Sequence, residues 1–72
     1  MKKIKKIKIK INGKFLTINE NLSLSIFIKE LKIPLKKVAI ELNQEIIDKN
    51  KISKINLKKD DKIEIVHFIG GG

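Results

Sequence analysis

Few places in this sequence offer groups that could do chemistry, and the most unusual is Ile63-Glu64-Ile65-Val66-His67-Phe68-Ile69-Gly70-Gly71-Gly72. A β-rich run passes straight into three glycines and closes on the α-carboxylate of Gly72. Such a carboxylate is ionised at neutral pH. It can attack the α-phosphate of a nucleotide and form an acyl-adenylate, turning a poor electrophile into a good one. Glycine suits an arm of this kind: every φ/ψ region is open to it, and no side chain shields the activated carbonyl. Glycine ends are also frayed termini or linkers, so the tail alone leaves both readings open.

Competing chemistry is thin. His67 is the single imidazole, and a lone histidine in a strand reads as structural. No serine stands in a nucleophile-elbow pattern. Asp60-Asp61 follows Lys58-Lys59 and reads as solvated turn charges, not a metal site. Gly70-Gly71-Gly72 opens no helix, so it is not a phosphate loop. With no cysteine, disulfides, thiol catalysis and the usual zinc sites are excluded. No catalytic residue, metal or permanently bound cofactor is expected.

The chain has 17 basic residues against 8 acidic ones, a net charge of +9. That balance raises nucleic acid or an anionic surface as partners. Every basic residue is lysine, with no guanidinium for bidentate contacts to bases or phosphates. A base-composition bias explains the Lys, Ile and Asn abundance equally well, and no nucleic-acid partner is expected. No apolar run approaches the ~18 residues of a membrane span, and the lysine-rich start lacks the apolar segment of a signal peptide. The expectation is a cytoplasmic protein, monomeric when free.

The elements that must carry the tail follow from periodicity. Ile7, Ile9 and Ile11 alternate with Lys6, Lys8 and Lys10, and Asn12-Gly13 then supplies the positive φ values of a type I′ turn. The predicted hairpin over residues 6–18 pairs Ile11 with Lys14, Ile9 with Leu16 and Ile7 with Ile18. Leu16 and Ile18 join the inner face and Phe15 points outward. Ser23 can N-cap a helix whose inner stripe is Leu24, Phe27, Ile28 and Leu31, ending before Pro34. Val38–Leu42 reads as a strand, Asn43-Gln44 as a tight turn and Glu45–Ile47 as a short strand. Residues 48–57 lack a clean period and read as a turn or 3₁₀ segment, with Ile52, Ile55 and Leu57 plugging the core. The last strand, Lys62–Ile69, turns Ile63 and Ile65 inward and Glu64, Val66 and Phe68 outward.

This order predicts an α+β fold, a β-grasp or ubiquitin-like roll with a mixed sheet packed on one helix and the two outer chain segments side by side at its centre. A ferredoxin-like fold would need a second full helix, for which residues 48–57 are poorly patterned. Residues 1–72 form a single domain with a flexible glycine tail at 70–72. A partner would recognise the outer face beside the tail, where Val66, Phe68 and Phe15 are the candidate apolar contacts.

The segments Val38-Ala39-Ile40-Glu41-Leu42-Asn43-Gln44-Glu45-Ile46-Ile47 and Asp61 through Gly72 resemble the ThiS family, the sulfur carriers of thiamine biosynthesis. The similarity spans nearly the whole chain, from the hairpin with Asn12-Gly13 to the terminus. It departs at Gln44 and Asp60, where the family often has glycine, and near Asp48, where proline is frequent. The resemblance implies that Gly72 is adenylated with ATP by a ThiF-type adenylyltransferase. Sulfur from a persulfide donor then replaces AMP to leave a thiocarboxylate, which a ThiG-type thiazole synthase consumes. The chain would then be a protein co-substrate, not an enzyme. A molybdopterin-type sulfur carrier, a protein-conjugating modifier and a basic RNA-binding β-grasp module are the alternatives.

Overall fold

The protein is seen in a computed structural model that describes residues 4–68. The expectations for Ile69, Gly70, Gly71 and Gly72 lie outside the described residues. Strands β1 (Lys6–Ile11) and β2 (Lys14–Asn19) precede helix α1 (Leu24–Glu30), then β3 (Val38–Leu42), β4 (Glu45–Ile46) and β5 (Lys62–His67). Short 3₁₀ segments occupy Leu35–Lys37 and Lys49–Lys54. The five strands form one sheet in the order β2-β1-β5-β3-β4. Strands β1 and β5 are parallel and the other pairs antiparallel. This is the mixed sheet with one helix expected of a β-grasp roll.

The first hairpin has the predicted register, Ile11 opposite Lys14, Ile9 opposite Leu16 and Ile7 opposite Ile18. Asn12 and Gly13 supply it with φ values of 47° and 83°. Ser23 caps α1, its hydroxyl accepting the Ile26 N–H at 3.1 Å. Leu24, Phe27 and Ile28 of the helix meet Ile9, Val38, Ile40, Ile63 and Ile65 of the sheet in a single core. Ile52 and Leu57 close its edge, and Ile55 packs against it half-buried. Even the β-branched Ile26 and Ile28 are carried by a helix, because the cap and the burial of Ile28 outweigh a weak propensity.

Two inward assignments are corrected. Leu16 is 38% exposed although its partner Ile9 is 1% exposed. A seven-residue helix, about 10 Å long, does not cover five strands spaced about 4.8 Å apart, and β2 is an edge strand. Leu31 is 40% exposed because α1 stops before it. The chain turns left-handed at Lys32, φ 58°, and the Ile33 N–H bonds the Ile28 carbonyl while the Lys32 N–H bonds that of Lys29. This is a Schellman stop with lysine in the place glycine usually takes. The segment Leu35–Lys37 winds as a 3₁₀ turn that the sequence pattern did not announce. Strand β4 ends at Ile46 instead of Ile47, and β5 ends at His67.

Candidate functional site

The strand that leads to the glycine tail lies at the centre of the sheet, held on both sides. Toward β1, the Lys10 and Asn12 N–H groups donate to the carbonyls of Asp61 and Ile63, each at 2.9 Å. Strand β1 turns away at Asn12, but its side chain continues the ladder, Oδ1 accepting the Ile65 N–H at 2.8 Å. Toward β3, the second hairpin does the same at the other end of β5. Asn43, φ 52°, donates its N–H to the Lys62 carbonyl at 2.8 Å and accepts the Lys62 N–H on Oδ1 at 2.9 Å. Two turn asparagines thus clamp β5 from opposite sides. Pairing with β3 runs on to Val38 opposite His67, and the Phe68 N–H bonds the Lys37 carbonyl at 2.9 Å.

Around the end of β5, the outward residues are apolar. Val66, opposite Ala39, is 53% exposed and Phe68 is 52% exposed. The Lys49 ammonium donates to the Leu35 carbonyl and stands 5.2 Å over the Phe68 ring, so the aromatic is braced beside the exit of the chain. His67 is exposed on the strand.

Phe15 does not join this patch. It lies opposite Lys10, which lies opposite Lys62 at the start of β5. Six further residues at about 3.3 Å each separate that level from Phe68, roughly 20 Å. The sequence pattern put Phe15 on the correct face, but the parallel β1–β5 register sends it to the opposite end.

Among the described residues no polar or charged side chain is buried, and no three His, Cys, Asp or Glu side chains gather to hold a metal ion. Asp61 differs from the solvated charge expected: it accepts the Lys58 N–H at 2.8 Å and an Asn43 Nδ2 proton at 3.0 Å, closing the turn into β5. Asp60 beside it is left-handed, φ 69°, as is Gln44, φ 73°. The roles of the Asn12 and Asn43 amides were missed from sequence. The Asn-Gly pair announced the first turn, but nothing local says which backbone its amide will meet. No helix of the described residues is long and apolar enough to cross a membrane.

The sequence profile of the ThiS family matches residues 4–72. A thiazole synthase of Paramagnetospirillum magneticum is 36% identical over 66 residues, which are 92% of this chain and 20% of that protein. The chain therefore spans about one fifth of the length of that relative. The sulfur carrier protein ThiS of Bacillus subtilis is 51% identical over 37 residues, 51% of this chain and 56% of that one. Among solved structures, the crystal structure of thiamine biosynthesis protein ThiS from Geobacter metallireducens superposes with a TM-score of 0.81. It shares 29% identity and covers 92% of this chain and 100% of its own.

Proposed function

This chain belongs to the ThiS family, and from that membership we propose that it is a sulfur carrier of thiamine biosynthesis that works through the carboxylate of Gly72. The observation that carries the reading is a family match running through the glycines to residue 72. It is supported by the clamped strand β5, which fixes where the chain leaves the domain.

In the proposed cycle the Gly72 carboxylate attacks the α-phosphate of ATP on a ThiF-type adenylyltransferase, releasing pyrophosphate and forming the acyl-adenylate. The terminal sulfur of a persulfide donor attacks the acyl carbon and AMP leaves, giving an acyl disulfide. A thiol then cleaves the S–S bond, leaving the thiocarboxylate on Gly72 and a disulfide on the donor side. Gly70 and Gly71 serve as the side-chain-free approach to both active sites. Thiazole synthase takes the sulfur; the similarity of this chain to one fifth of a thiazole synthase favours that partner. Val66 and Phe68 give the partner an apolar contact at the root of the tail. The domain itself is a co-substrate: the ATP belongs to the activating partner, and the cycle runs in the cytoplasm with a monomeric carrier.

Intact-mass spectrometry tests the reading, and the same spectrum reads whether the mature chain ends at Gly72. With ATP, a persulfide donor, a thiol reductant and the adenylyltransferase, the exchange of oxygen for sulfur adds about 16 Da. Deleting Gly72 abolishes the gain and leaves the fold unchanged. No gain under conditions that convert the Bacillus subtilis carrier would refute the proposal.

A further inference from the structure

The outer face of the sheet carries a second feature, at the far end of β5 from the tail. Phe15 is 69% exposed, yet two ammonium groups stand over its ring, Lys8 Nζ at 5.4 Å and Lys10 Nζ at 5.1 Å from the centroid. Lys62 lies beside Lys10 across the β1–β5 ladder. Together with Ile9 and Asp60, these residues line a shallow recess. Three like charges lining one recess repel one another, and cross-strand like charges are destabilising. An anionic partner reverses that repulsion.

We propose that this recess docks an acidic peptide segment of a partner protein, its carboxylates on Lys8, Lys10 and Lys62 and an apolar side chain against the edge of Phe15. Two observations favour a peptide over nucleic acid. Single-stranded nucleic acid binds by stacking bases on aromatic faces, and here the two lysine ammonium groups compete with a base for the space over the ring. The Asp60 carboxylate on the rim opposes a dense polyanion, whereas a peptide spaces its charges along an extended chain. Because roughly 20 Å separates the recess from Phe68, a segment held here leaves Val66 and Phe68 uncovered. The recess is thus a second grip, independent of the sulfur chemistry, and a chain with net charge +9 draws an acidic segment to it rapidly.

The test is a titration of the full chain, followed by backbone amide shifts, with a short glutamate-rich peptide carrying one central leucine. An oligouridylate of equal charge is titrated in parallel. Saturable shifts are expected in β1, β2 and the start of β5, with Lys8→Gln/Lys10→Gln weakening peptide binding about tenfold. Phe15→Ser weakens it as well without changing the charge. Lys51→Gln/Lys54→Gln, which removes the same charge from the exposed 3₁₀ segment beside the helix, costs less than twofold. Equal losses in the two lysine pairs would show diffuse attraction only. Tighter saturation by the oligouridylate, or the absence of saturation by the peptide, would also overturn the proposal.

Discussion

Replacing Asn12 separates the two tasks its backbone and side chain perform. The residue sits at φ 47° and its Oδ1 accepts the part-buried Ile65 N–H at 2.8 Å. Asn12→Gly keeps the left-handed turn and removes the acceptor, leaving an unsatisfied donor between strands at a cost of about 1–3 kcal/mol. Asn12→Ala removes the acceptor and also loses the tolerance for positive φ that the short polar side chain gives asparagine, adding up to about 1 kcal/mol. Asn12→Asp retains both the acceptor and the tolerance for positive φ and should stay within about 1 kcal/mol of the parent. A domain of this size is stable by only about 4–11 kcal/mol, so the alanine variant loses a large share of the total. Each kcal/mol corresponds to a fall in Tm of roughly 4–8 °C. Urea unfolding at constant slope gives the three values, and hydrogen exchange at the Ile65 amide localises the loss. A glycine variant as stable as the parent, or an aspartate variant as damaged as alanine, would refute the clamp.

Other substitutions report on the frame around the tail. Gln44→Gly and Lys32→Gly relieve left-handed strain at φ 73° and 58°, and each should raise stability by about 0.5–1 kcal/mol in thermal unfolding. Ser23→Ala removes the cap bond to Ile26 and should cost about 1 kcal/mol, read as a lower urea midpoint. Ile28→Ala hollows the core beneath the helix, where the side chain is 1% exposed. A loss of about 2–5 kcal/mol brings the domain close to unfolding, visible as collapsed amide dispersion.

Much of this fold was legible because its signals are local. Asn12-Gly13 set the first register through turn chemistry, and the i, i+3, i+4 spacing of Leu24, Phe27 and Ile28 marked the helix face. The alternation of Ile63 and Ile65 against Glu64 and Val66 oriented the last strand correctly. What sequence did not reveal depends on distant neighbours. Leu16 obeyed its alternation and still lies in the open, because a helix of seven residues does not reach the edge strand. Leu31 fitted the helical stripe, but the left-handed turn at Lys32 ended the helix first. Phe15 was placed on the outer face, yet its distance from the tail is set by the parallel register of β1 and β5, which no local pattern encodes. The amides of Asn12 and Asn43 meet β5 only once the sheet has closed. The chemistry of the tail was read from residue type and resemblance, and the described structure contributes the strand that carries it.

The parallel pairing of β1 with β5 also governs when this protein can fold. Lys10 meets Lys62, so the centre of the sheet joins segments from opposite ends of the domain, and closing so long a loop slows folding relative to local contacts. The two hairpins and the capped helix, by contrast, rest on contacts close in sequence. The core gains Ile63 and Ile65 only when β5 pairs between β1 and β3. Completing the core and holding the strand that leads to the tail therefore depend on the same pairing. A chain arrested before it exposes two unpaired strand edges, the surfaces on which strands aggregate. The asparagine clamps that hold the finished strand thus also keep those two edges covered.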